Sequence, residues 1–242
     1  MGYMLEVCIC GRVIEMRKYY DARAHPRGER REPKGKVTSE AQEKINLRKA
    51  ERDLRRLMNT NFQDGDYLIR LDFSKANLPD GDEMQKKMQK FLRNVRDAMK
   101  RGGQKLRYIY VKEIGPRGGR HVHMMMNRCD TELLRKYWKH GGIHIDPLNS
   151  GGQYSKIASY FIKYSERTRK TEGQLVGKRW NPSRNLKKPI IRKKRIGANR
   201  YRENVHVPAG YMLDKDSVAY GISDYTGYAY FSYSVIDIRG ST

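Results

Sequence analysis

Apolar residues dominate residues 3–19 (YMLEVCICGRVIEMRKY), with a few charged positions set among them, and their richness in Val, Ile and Tyr predicts one or two short strands. The pattern then breaks. Residues 23–36 (RAHPRGERREPKGK) are charged and punctuated by Pro and Gly, the composition of a loop. From about Ser39 the apolar spacing switches to three and four: Ser39-Glu40-Ala41-Gln42 fits a capping box, and Leu47, Ala50, Leu54, Leu57 and Met58 form the stripe of a helix whose Lys and Arg face out. Residues 67–73 return to strand character and end at the turn KANLPDGD. A second helix is predicted over 82–101, with Met84, Met88, Phe91, Leu92, Val95 and Met99 as its core side. Residues 106–114 and 120–127 read as strands joined by the hairpin turn GPRGG. A short helix (131–138), a strand (142–147) and a helix (153–168) follow. The last stretch, 211–238, holds six tyrosines among Gly, Ser and Val and reads as short strands.

The order β, α, β-hairpin, α, β, α over 66–168 predicts an α+β fold in which an antiparallel sheet carries helices packed on it. Three segments are expected: N-terminal strands, basic loop and helix (1–65), a core (66–170), and a basic segment with a Tyr-rich C-terminal extension packed on the core (171–242).

Charge changes the picture. Lys and Arg number 51 against 27 Asp and Glu, a formal charge of +24, which repels itself within a compact fold and attracts polyanions. Nucleic acid is the leading partner and an anionic membrane surface the second. No segment approaches the ~18 consecutive apolar residues of a spanning helix. Glu6, Arg12 and Glu15 interrupt the first apolar stretch, so a secretory leader is not expected and a cytoplasmic location is. Residues 178–202 carry eleven Lys or Arg and no acid. Arg179, Lys187, Lys188, Arg192, Lys193, Lys194 and Arg195, with Arg120 and Lys156, are the candidate DNA contacts, and Trp180, Tyr201 and Tyr211 could stack on unpaired bases. Three cysteines argue against a disulfide framework. Cys8 and Cys10 could supply two zinc ligands, but nothing nearby completes a tetrahedral set, and they read as small strand residues.

The chemistry centres on GGRHVHMMMN (118–127). In a strand, His121 and His123 point to one face and Val122 to the other. Two imidazoles hold a divalent cation well only when a third ligand closes the site, and Glu113, at the end of the strand before the hairpin, is the candidate. If Glu113 pairs opposite His121, all three share a face; a slip of one residue would separate them. Such a set suits Mg²⁺ or Mn²⁺ acting on a phosphate, and its nitrogens would also admit zinc. On the helix 153–168, Tyr160 and Tyr164 are one turn apart and Lys163 lies on the same side. A phenol is a poor nucleophile at its ordinary pKa near ~10, and a neighbouring ammonium favours the phenolate. Tyr154 is a rival on the same helix. His144 reads as an ordinary strand residue, and His25, His140 and His206 have no constellation around them.

The strings LDFSKANLPD, EIGPRGGRHVHMMMN and ASYFIKYSER, in that order, resemble the three motifs of rolling-circle replication initiators of the HUH endonuclease superfamily. The resemblance spans about two-fifths of the chain. It implies a ferredoxin- or RRM-like sheet that nicks single-stranded or hairpin DNA at an origin, with a tyrosine joined to the 5′ phosphate and a 3′ hydroxyl left to prime synthesis. By this likeness His121, His123 and Glu113 are the metal ligands, Tyr160 is the nucleophile and Lys163 its helper. Tyr164 is similar to the second tyrosine of two-tyrosine members from small phages and some plasmids. Many initiators append a helicase, but no G-x-x-x-x-G-K-[ST] occurs here; the nearest string, 173–178, is one residue short. A host helicase and replication machinery, in a bacterial cell, are therefore the expected partners. The alternatives are an HUH transposase or plasmid relaxase with the same chemistry, and an RRM-like single-strand binder without chemistry.

Overall fold

The structure, a computed structural model, describes residues 2–21, 40–170, 178–196, 203–223 and 226–239. The loop read at 23–36, Ser39 of the capping box, residues 173–177 of the nucleotide-loop look-alike and Tyr201 lie outside them. In chain order the elements are β1 (Gly2–Cys10), β2 (Val13–Asp21), α1 (Glu40–Asn61), β3 (Tyr67–Asp72), α2 (Gly81–Arg101), β4 (Tyr108–Ile114), β5 (Arg120–Met126), α3 (Thr131–Tyr137), β6 (Ile143–Pro147), α4 (Ser155–Lys170), β7 (Asn181–Pro182), β8 (Ile190–Arg195), β9 (Tyr211–Ile222) and β10 (Ala229–Asp237). They form an α+β protein of two antiparallel five-stranded sheets. The chain divides into a terminal unit, Met1–Thr60 with Lys188–Thr242, and a central unit, Asn61–Lys187. This differs from the expected division at 65/66 and 170/171. The two ends of the chain share one sheet, and residues 178–187 belong to the central unit.

The central unit is two interleaved split β-α-β pieces. β3 and β4 both pair with β5, and β5 and β6 both pair with β3, giving the strand order β6-β3-β5-β4-β7. Helix α2 starts where the Asp80 side chain accepts from Glu83 N–H at 2.8 Å, and its predicted stripe Met84, Met88, Phe91, Leu92, Val95 and Met99 is buried. That stripe packs, together with Leu134 of α3, on the face bearing Leu71, Tyr110, Val122 and Met124. With both helices on one face, strand alternation sends His121 and His123 to the other.

The terminal unit has the order β8-β1-β2-β10-β9. β1 and β2 form a hairpin that places Cys8 opposite Glu15 and Cys10 opposite Val13. The face shared by Glu6, Cys8, Cys10, Val13 and Glu15 is buried, and both cysteines are free thiols. Helix α1 buries Ala50, Leu54 and Met58, as its stripe predicts. The expectation that its Lys and Arg all face solvent is corrected. Arg55 Nε donates to Glu15 Oε1 at 2.7 Å, Arg56 Nε to Glu15 Oε2 at 2.7 Å, and Arg56 Nη2 to Glu6 Oε1 at 2.8 Å. The physical reason is that two carboxylates on inward positions of the hairpin need partners, and α1 supplies them.

The β1–β2 turn also makes a test of the terminal unit. Gly11 has φ +62°, and a Cβ there would run into the Asn59 carbonyl oxygen of α1. Gly11→Ala is expected to lose about 1–2 kcal/mol from the left-handed backbone alone. With the clash added, the melting temperature should fall by at least about 4 °C. A melt within a degree of the parent would contradict this turn geometry.

Candidate active site

The β4–β5 register places Glu113 directly opposite His121, and the β3–β5 register places Asp72 opposite His121 on its other side. Glu113, His121, His123, Asp72, Arg70 and His144 therefore share one face of four neighbouring strands. The hairpin that sets this register closes with Gly115 N–H bonded to Gly119 O at 2.8 Å, and Gly118 takes φ +75°.

Glu113 is 5 % exposed and its two oxygens are both engaged. His123 Nε2 lies 2.8 Å from Oε2, and Arg167 Nη1 of α4 donates to Oε1 at 3.1 Å. Burial opposes ionisation of this carboxyl, but the His123 hydrogen bond and the charges of His123, Arg167 and His121 outweigh it and hold Glu113 below the usual carboxylate range. His121 Nδ1 lies 2.8 Å from Asp72 Oδ1, and His144 Nε2 lies 3.3 Å from Asp72 Oδ2. His144 thus sits in the cluster that the sequence reading left it out of. The donors face one another in pairs; among the described residues no three His, Cys, Asp or Glu side chains gather in a metal-site arrangement.

Helix α4 lies against β4. Its inward stripe is Ala158, Phe161, Ile162, Ser165 and Thr168, and Tyr154, just before the helix, is wholly buried, which removes it as a rival nucleophile. Thr168 Oγ1 accepts from Ile114 N–H at 3.0 Å and donates to Lys112 O at 3.3 Å, fixing the end of α4 to the strand that bears Glu113. The opposite side of α4 presents Lys156, Tyr160 and Lys163 to solvent, Tyr160 being 55 % exposed. Tyr164 is half-buried and stacks on His123, ring centroids 4.3 Å apart, and the Tyr160 ring lies 6.0 Å beyond it. Burial, then the Glu113 carboxylate and the Tyr160 phenol, push the Tyr164 phenol above its usual range, against the pull of Arg167 and Arg70.

The basic candidates divide. Lys156 lies one turn before Tyr160 on the same side of α4. Arg120 springs from the opposite sheet face to His121, because adjacent strand residues alternate. Arg179 is ion-paired with Glu166 at 2.7 Å. Lys187 is exposed in the central unit. Lys188, with Arg192, Lys193, Lys194 and Arg195 of β8, belongs to the terminal unit, all exposed, Lys193 being 3.3 Å from Glu6. Trp180 is half-buried in the central unit and Tyr211 is half-buried on β9. Asp72 and Arg167 are the site residues that sequence reasoning missed, although both lie inside strings it singled out.

No helix among the described residues is long and apolar enough to cross a membrane. The face of paired imidazoles and carboxylates, with two tyrosines stacked over it, lies within a segment that matches a known family. Residues 66–169 match the family model described as replication-associated protein ORF2/G2P, a finding consistent with a rolling-circle replication initiator. The match spans about two-fifths of the chain and lies within the central unit. No curated protein and no solved structure matches the chain.

Proposed function

We propose that the protein is an HUH-type endonuclease that nicks single-stranded or hairpin origin DNA to start rolling-circle replication. The observation that carries the reading is the row Tyr160–Tyr164–His123, which brings an exposed phenol to the face where Glu113 meets His121. The basic surface captures the strand. Tyr160 Oη attacks the scissile phosphorus, the P–O3′ bond breaks, and the 3′ oxygen takes up a proton to become a free hydroxyl. The phosphotyrosyl bond keeps the energy needed for rejoining. Lys163 and Lys156, on the Tyr160 side of α4, offset charge building on the phosphate oxygens.

His121, His123 and Glu113 are the residues that would hold Mg²⁺ or Mn²⁺. Two imidazoles and a carboxylate suit such an ion. A Cβ at Gly119 would lie 3.0 Å, and one at Gly115 3.4 Å, from His121 Nε2, so these glycines keep space open beside that nitrogen. When bound, the ion would supply Lewis-acid polarisation of the scissile phosphate. Tyr164, packed on His123 with its phenol pushed up, supports that ring in the first cleavage and is the candidate for a second one. Unwinding falls to a host helicase.

The test is nicking of single-stranded DNA from the protein's own replicon, with Mn²⁺ or Mg²⁺ and with chelator. Cleavage that needs the ion is expected. Tight binding with no cleavage of any strand would leave a silent single-strand binder. Affinity should fall steeply with salt, by about 10³ or more between 50 and 200 mM if six or more phosphates are contacted. A salt-independent affinity in a filter-binding titration would contradict a phosphate-led surface.

A further inference from the structure

We propose that Asp72 is a positioning residue that locks His121 in the Nδ1–H tautomer and so makes Nε2 the ring's coordinating nitrogen. The cation in this inference rests on the function proposed above; the tautomer does not.

An ionised carboxylate can only accept, so the 2.8 Å contact between Asp72 Oδ1 and His121 Nδ1 requires the proton on Nδ1. In the neutral ring the lone pair then lies on Nε2. That is also the nitrogen beside which Gly115 and Gly119 leave room. Carboxylate and glycines thus act on opposite ends of one ring: the first decides which nitrogen has a lone pair, the second keep that nitrogen open.

Asp72 is itself held in place. Its N–H donates to Gly142 O at 2.9 Å, and its carbonyl accepts from Trp138 Nε1 at 3.2 Å. Arg70 Nε lies 3.0 Å from Oδ1 and His144 Nε2 lies 3.3 Å from Oδ2. The side chain therefore works from a fixed backbone, and those backbone anchors survive its replacement. A carboxylate on the far nitrogen of a metal-ligating histidine fixes ring orientation and raises ligand basicity, and its loss costs about 10–100-fold in metal affinity.

The experiment uses the full chain labelled with ¹⁵N-histidine. Imidazole ¹H–¹⁵N spectra report the His121 tautomer without metal, and Mn²⁺ titration followed by electron paramagnetic resonance reports affinity. The parent should show His121 as Nδ1–H. Asp72→Ala should move it toward the Nε2–H form that free histidine favours and weaken Mn²⁺ binding about 10–100-fold. Asp72→Asn, whose amide oxygen can still accept, should restore part of both. Gly119→Ala should weaken Mn²⁺ binding with the tautomer unchanged. An Asp72→Ala protein that keeps the Nδ1–H form, or one that loses it with unaltered Mn²⁺ affinity, would overturn the proposal. A parent that shows the Asp72-dependent tautomer but binds no Mn²⁺ would remove the proposed cation site and leave the positioning of His121 standing.

Discussion

A protein carrying His121→Ala and His123→Ala is expected to lose nicking by at least about a thousandfold, corresponding to about 4 kcal/mol of transition-state stabilisation, while keeping its affinity for single-stranded DNA. The two rings do different work. His121 is held by Asp72 with its Nε2 facing the space kept by Gly115 and Gly119. His123 is bonded to Glu113 and lies under the Tyr164 ring. Removing both takes away the nitrogen donors and the platform of the aromatic row. Arg167 remains on Glu113 at 3.1 Å, so the buried carboxylate keeps a partner and the fold should survive. The basic residues of α4 and β8 are untouched, which is why binding should persist. Nicking rates and filter-binding affinities measured side by side check this, and retained nicking would sink the assignment of the metal ligands.

The largest effect on stability is expected from Glu15→Ala in the terminal unit. Glu15 is 2 % exposed and takes hydrogen bonds at 2.7 Å from both Arg55 and Arg56, and Arg56 is itself 3 % exposed. Truncation takes the Glu15 carboxylate from both guanidinium groups and leaves the buried Arg56 with Glu6. Breaking a buried pair in this way costs about 3–5 kcal/mol, a large share of the 5–15 kcal/mol that typically separates folded from unfolded domains. Burial raises the Glu15 and Glu6 carboxyls, but the arginines outweigh it: Arg55 and Arg56 at Glu15, and chiefly Arg56 at Glu6, so both titrate below the ordinary range. A depressed folded-state value means the stabilisation is complete above the unfolded value of about 4.3. It is lost as pH falls through the folded-state values. The parent should therefore weaken steeply below about pH 4, and Glu15→Ala should flatten that dependence. Hydrogen exchange of the β1 and β2 amides in urea, at neutral and acid pH, reads both effects. Unchanged protection in the variant would show that the network contributes little.

Local periodicity made much of the central unit legible. The Met-rich stripe of α2, the GPRGG hairpin and the strand carrying His121 and His123 each declare themselves within a dozen residues. The hairpin is short, so Glu113 opposite His121 could be expected from sequence on condition of one register, and the strands pair in that register. Long-range pairing leaves no such trace. Nothing in IIRKKR says that β8 pairs with β1, since all six of its residues are exposed and the string lacks alternation. Arg55 and Arg56 looked like a solvated face because the carboxylates that turn them inward lie about 40 to 50 residues earlier. Asp72 and Arg167 gained their roles only through the partners that β5 and β4 bring to them. Arg120 is the opposite case: alternation already placed it on the far face from His121, and the whole-chain charge obscured that.

The most direct measurement is a denaturing gel of the full chain incubated with single-stranded DNA of its own replicon and Mn²⁺, followed by mass spectrometry of the DNA-linked peptide. A covalent, ion-dependent adduct at Tyr160 that disappears in Tyr160→Phe is expected. A parent protein that cleaves this DNA without forming any tyrosine-linked adduct would contradict the proposed nucleophile.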